Sequence, residues 1–223
     1  MGFLVFPRLN LLDLAGPLQV LSYLPGASSH LLWKDLDPVA AECGLRFSPT
    51  DTFDACPPLD LLCVPGGAGV DALLADEHVL GFLRHVAPAV RYVTSVCTGS
   101  LLLGAAGLLG GRRAACHWRY RDLLTRFGAQ PSGRRVEVDG NIVTGGGVTA
   151  GIDFALTLGG LMAGSGWAEA VQLGLEYDPA PPYGGSPSTA RGDVVDRETA
   201  RTAVLYDKRR LLVEAAAERL SRG

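Results

Sequence analysis

The 223-residue chain is predicted to fold as one α/β unit, a mostly parallel sheet covered by helices on both faces. Three observations lead there. Short apolar runs such as "GFLVF" and "RYVTSV" lack polar alternation, as strands buried on both faces should. Such runs alternate along the chain with segments of helical spacing, the rhythm of β-α-β units. Glycine-rich turns also follow two strand ends, in "CVPGGAG" and in "VTSVCTGS".

Each element can be justified in order. Residues 2–6 read as the first strand. "LLDLAGPLQVLSYL" follows as a helix, with Pro17 where a first turn tolerates it and Leu18, Leu21 and Leu24 at helical spacing. Two further strands are expected at 30–34 and 59–67, with a hairpin-like excursion between Pro38 and Pro49. Residues 70–87 are helical in pattern and 91–96 form another buried strand. A helix opens at 98, and "RYRDLLTRF" is the next. "RRVEV" and "NIVTGGG" are strands joined by Asp139-Gly140, a hairpin signal. A long helix then covers about Thr149 to Met162. Residues 178–192 are rich in Pro, Gly and Ser and read as an extended loop, and an amphipathic helix over roughly 194–221 closes the chain. That helix is too short to hold its own core, so a single domain is expected over 1–223, with 178–223 as part of it.

Composition narrows the function classes. Apolar residues are 48%, charged residues 19% and the net charge −3, so no basic field is available for nucleic acid or an anionic membrane. No apolar run reaches the roughly 18 residues of a spanning helix. The start, "MGFLVFPRLN", lacks a basic region before its apolar residues and reads as a strand rather than a signal peptide. Five cysteines in no CxxC pairing and four histidines without ligand spacing argue against a disulfide framework or a metal. The cytoplasm is therefore the expected compartment.

The chemistry concentrates on Cys97. It sits at the carboxyl end of a strand, where reactive groups of open α/β sheets belong, with Thr98 and Gly99 opening a helix. The helix N-terminus should favour thiolate, and the sharp turn should present the sulfur as a nucleophile elbow does. Small residues at Gly99 and Ser100 would leave room for substrate. The alternative is an inert buried thiol. Beside it, Gly66 and Gly67 are expected to aim N–H groups at an oxygen, with Thr98 N–H as a second donor; the alternative is an ordinary Gly-rich turn. Gly146 and Gly147 would line the pocket from a third strand end. His117 is a second candidate base, or else a packed histidine, and Asp153 is expected in the first turn of its helix with a structural role.

"PGG", "VTSVCTGSLLLGAAGLLGGRRAACHW", "VTGGGVTAGIDFALTL" and "LLDLAGPLQVL" together resemble the DJ-1/PfpI superfamily and, more narrowly, its isocyanide (isonitrile) hydratase branch. The resemblance covers nearly the whole chain and implies a flavodoxin-like three-layer sandwich. It makes Cys97 the nucleophile and Asp13 the acid that reaches its sulfur. Relatives with peptidase-like or chaperone-like roles carry His directly after the cysteine; Thr98 here puts a Cys-His dyad in doubt. The implied reaction is hydration of an isocyanide to a formamide through a thioimidate on Cys97, with Asp13 as general acid and base and no cofactor. The implied assembly is a homodimer. Two other readings stay open. One is another cysteine-dependent activity, glyoxalase-like or amidohydrolase. The other is the sensor domain of an AraC-type regulator, which the absence of a DNA-binding half and the acidic charge disfavour.

Overall fold

In the computed structural model, which describes residues 1–222, a seven-stranded sheet separates two layers of helices; Gly223, the last position of the expected domain, lies outside the described residues. β1 (Gly2–Leu4) leads into α1 (Leu11–Leu21), then β2 (His30–Trp33), the small hairpin of β3 (Val39–Ala40) and β4 (Arg46–Phe47), and β5 (Asp51–Thr52). β6 (Leu61–Val64) is followed by α2 (Val70–Leu73) and α3 (Glu77–Val86), and β7 (Tyr92–Val96) by α4 (Gly99–Ala105). A side sheet of β8 (Arg113–Ala115) and β9 (Gln130–Ser132) encloses a 3₁₀ helix at Arg121–Phe127. β10 (Val136–Asp139) and β11 (Ile142–Gly145) form the expected hairpin. α5 (Ala150–Ala163), α6 (Ser165–Gly174), α7 (Gly192–Arg201) and α8 (Ala203–Arg222) complete the described chain.

The sheet order is β10-β11-β7-β6-β1-β2-β5, and only the β10–β11 pairing is antiparallel. Counting β1, β2, β6, β7 and β11 as first to fifth, the order reads second, first, third, fourth, fifth, the flavodoxin-like arrangement. Its direction reverses between β1 and β6, so a crevice opens there at the carboxyl ends of the strands. Leu61–Val64 and Val93–Val96 are wholly buried, which explains their unbroken apolar or small-residue sequence. α5 packs on α1 and α6, while α4 packs on α2, α3, α8 and the 3₁₀ helix.

Several elements differ from the sequence reading. α1 begins at Leu11, capped by Asn10, whose side chain accepts from Leu12 N; Pro17 is therefore inside the helix, not in its first turn, and packs near Gly151 of α5. The helical pattern over 70–87 is broken at Asp76, which caps α3 through Val79 N. The segment expected as a helix over 119–127 is a 3₁₀ helix, and only over Arg121–Phe127. α6 was not foreseen: Gly164, at φ +94°, stops α5, and Trp167 folds back onto Gly159 with its indole N–H on Tyr23 O at 3.1 Å. The closing helix is two, divided at Thr202.

Candidate active site

Three strand ends converge at the crevice. The first turn of α1, the helix that follows β1, carries Asp13, the turn after β6 carries Gly66 and Gly67, and the turn after β7 carries Cys97. The turns are laced together: Asn10 N donates to Gly66 O at 2.9 Å and Gly69 N to Arg8 O at 3.0 Å.

Cys97 has φ +58°, a left-handed conformation that costs a non-glycine residue about 1 kcal/mol or more. The donation of its N–H to Gly145 O at 3.0 Å helps hold it there. This is an elbow in the physical sense, with strain held by the neighbouring strand. The sulfur is not exposed, however. Cys97 is only 5% accessible, and burial, with the nearby Asp13 carboxylate and Cys116, raises its thiol well above the ordinary value; Thr98 N–H opposes the shift without reversing it. The expectation of a thiolate favoured by the helix end is thus corrected: desolvation and a neighbouring acid outweigh one short helix.

Asp13 is fully buried. Its Oδ2 accepts from Gly66 N at 2.9 Å, while Oδ1 has no hydrogen-bond partner among the described residues. Burial raises the carboxyl to about 7, against the opposing Gly66 N–H and Cys97 S–H, and Glu42 adds a smaller upward push. Thiol and carboxyl each shift the other's proton affinity although they are not aligned as a formed hydrogen bond. The thiol therefore keeps its proton at neutrality, and the carboxyl is the member of the pair placed to gain and lose one there. Asp13 is not the helix cap, since Asn10 fills that role.

The glycines serve differently from expectation. Gly66 N–H is spent on Asp13, and Gly67 N–H on Thr98 Oγ1 at 3.0 Å, so neither points a free donor at substrate. Gly66 must be glycine because a Cβ would stand 2.6 Å from Thr98 N and 2.8 Å from Asp13 Oδ2. Gly67 adopts φ +133°, which side-chain-bearing residues avoid. Gly99 and Ser100 do not make room for substrate. A Cβ on Gly99 would collide with Val64 O, and the Ser100 hydroxyl is buried between Ser95 Oγ at 2.8 Å and Ala115 O at 2.6 Å. Gly146 donates to Arg135 O at 2.9 Å beside the Cys116 carbonyl, whereas Gly147 faces open space.

His117 accepts from Arg119 N through Nδ1 at 3.3 Å and lies between Trp118 and Tyr120. Burial, and then Arg209, lower its proton affinity, so it is a neutral ring held in an aromatic cluster; the structure records no hydrogen bond from it to Cys97 or Asp13. Asp153 is in the first turn of α5 and binds Arg135 at 2.7 Å and Tyr177 OH at 2.9 Å, the structural role expected of it. Cys63 and Cys116 are buried and pushed up to about 12 by that burial. Glu42 and Arg209, both near the Gly66–Gly67 turn, had no signal in the sequence, each being an ordinary charge in a polar segment.

A left-handed cysteine at a strand-to-helix elbow, beside a buried acid from the first turn of α1, marks a class of flavodoxin-like α/β proteins. The model of the DJ-1/PfpI family matches residues 2–159, and the chain belongs to that family. Isonitrile hydratase of Pseudomonas putida is 56% identical over 221 residues, covering 99% of this chain and 97% of the relative. A crystal structure of a THiJ/PfpI family protein from Pseudomonas syringae superposes with a TM-score of 0.93 at 42% identity, covering 96% of this chain and 89% of that one. The transcriptional regulator GbdR of Pseudomonas aeruginosa is 33% identical over 187 residues, which cover 79% of this chain but 50% of the regulator.

Proposed function

We infer that this chain is an isocyanide hydratase, converting R–N≡C and water to the N-substituted formamide R–NH–CHO. The observation that carries the reading is the 56% identity to the Pseudomonas putida isonitrile hydratase along nearly the full length of both chains. The site fits the demand of the reaction, which needs one nucleophile and one proton that is delivered and later retrieved. As the Cys97 sulfur bonds to the terminal carbon, Asp13 in its acid form gives that carbon a proton and takes the thiol proton in exchange, leaving the thioimidate R–N=CH–S. Water then adds across C=N, its oxygen going to carbon and a proton to nitrogen, with Asp13 as the relay. The C–S bond breaks, the hydroxyl proton returns through Asp13 to sulfur, and the formamide leaves. An acid near 7 is poised for both directions of transfer. Because Gly66 and Gly67 N–H are committed elsewhere, their contribution is to hold Asp13 and Thr98 in place.

Incubation with a simple alkyl or aryl isocyanide should yield the matching formamide by NMR; a folded protein that forms none overturns the reading. The acting form is read as a homodimer in the cytoplasm. Exposed Tyr23, Leu161 and Leu173, on or near the layer of α1, α5 and α6, support the dimer. A monomer mass by light scattering at micromolar concentration contradicts it. Among the described residues no helix is long and apolar enough to cross a membrane.

A further inference from the structure

We propose that Arg209, far along the chain on α8, is a positioning residue for the hydration, acting on Cys97 and Asp13 through the Gly67 carbonyl. The proposal rests on the reading of those two residues as the reacting pair. α8 lies beyond the residues 2–159 that define the family match, yet Arg209 is only 6% exposed. Its Nε donates to Asp71 Oδ1 at 2.5 Å, its Nη2 to Gly67 O at 3.3 Å, and its guanidinium lies over the Tyr120 ring at 4.3 Å. Burying a guanidinium is costly unless its charge is paired and its donors find acceptors; Asp71 supplies the opposite charge, and Asp71 and the Gly67 carbonyl accept from Nε and Nη2. Tyr120 stacks in turn on Tyr206 of α8, with ring centroids 6.1 Å apart, and the Arg119 guanidinium lies over the Tyr206 ring at 4.0 Å. Cation, ring, ring and cation alternate between α8 and the turn before the 3₁₀ helix. Arg209 is locked from two sides.

What Arg209 holds is the turn that carries Gly66 and Gly67. The peptide joining Gly67 to Ala68 is bracketed by opposite charges: Arg209 takes its carbonyl, and the Glu42 carboxylate accepts its N–H. One peptide earlier, Gly67 N–H positions the Thr98 hydroxyl, and Gly66 N–H positions Asp13. Glycine at φ +133° has little intrinsic preference to keep that shape, so external groups must fix it. Without Arg209 the carbonyl keeps only the long contact from the Thr98 hydroxyl at 3.4 Å, Gly67 gains freedom to rotate, and the hydrogen bonds that place Thr98 and Asp13 loosen together. A displacement of about 0.5 Å is enough to impair a site of this kind.

The test compares Arg209→Lys and Arg209→Met with wild type on the isocyanide that wild type turns over. Lysine retains the charge beside Asp71 but loses the planar fork that reaches both partners. The expected result is a fall in kcat of about tenfold or more, KM within about twofold, and a Lys variant that melts close to wild type. In the double variant with Thr98→Val, the losses should not multiply, because both act through one link. Wild-type kcat in the Lys variant, a change confined to KM, fully multiplicative losses, or a deficit accounted for by unfolding of the Lys variant each overturns the proposal. Should wild type hydrate no isocyanide, the functional reading fails by itself. Arg209 is then judged by iodoacetamide alkylation of Cys97, expected to be at least about threefold faster in the Lys variant as the turn loosens; an unchanged rate overturns the proposal.

Discussion

Asp13 carries a cost that exposes its role. Its carboxyl titrates near 3.8 when free and about 7 when folded, so the folded state binds the extra proton between those values. Stability from this group is complete below about pH 4 and is lost as pH rises through about 7, by linkage on the order of 4 kcal/mol at most. Asp13→Asn removes the penalty, and the variant should melt progressively higher than wild type as pH is raised from 5 to 8. It should meanwhile lose at least about a hundredfold in turnover, because an amide cannot donate and recover the proton. A variant that melts in parallel with wild type at every pH contradicts the buried, raised acid. Cys97→Ser should fold and form no formamide; appreciable turnover would exclude the covalent route. The identities of these two residues were legible from the elbow sequence and from family resemblance. The apolar flanks of Asp13 already pointed to a desolvated carboxyl, but the burial of Cys97 did not show, because it arises only when segments distant in the chain close over the sulfur.

The elements that build the site are the turns, and their glycines are unequal. A Cβ on Gly66 would meet Thr98 N, Thr98 Oγ1 and Asp13 Oδ2, all within 2.8 Å, whereas one on Gly147 would meet nothing within 4 Å. Gly66→Ala should therefore cost about 1–3 kcal/mol in stability and at least about tenfold in kcat, by overpacking and by moving Asp13. Gly147→Ala should melt and turn over like wild type. Thermal melting and formamide assays on the two variants check this, and equal behaviour refutes the assignment. The strands were readable because β6 and β7 are buried on both faces and apolar for that reason. β5, β8 and β9 were not, since strands of two or three residues exist by pairing with neighbours far along the chain and leave no period of their own. The breaks at Asp76 and Thr202 were equally hidden, because helical spacing persists across a cap that interrupts only the hydrogen bonds.

At the scale of the whole molecule, the question is whether α7 and α8 belong to the domain or merely follow it. α8 buries Val213 and Ala216 completely or nearly so, and packs on α4 and the 3₁₀ helix. Arg219 donates to Leu74 O at 2.8 Å, and Leu220 lies over Gly107. These contacts tie the closing segment to the same helices that back the Cys97 turn, in keeping with a single domain that includes a helix too short to hold its own core. The opposite face of α8 is left uncovered in the single chain, with Val204, Leu205 and Leu211 exposed. A chain ended after Tyr177 loses the buried apolar contacts and the Arg209 anchor at once. Removing two or so buried side chains and the ion pair is worth about 4 kcal/mol, which for a domain of roughly 200 residues lowers the melting temperature by about 10 °C. The shortened chain should keep an α/β circular dichroism spectrum, because the sheet and its β-α turns lie before the cut. Its formamide production should fall at least about tenfold with the loss of the Gly67 anchor. A shortened chain that melts with wild type and turns over at the same rate makes α7 and α8 an appendage instead.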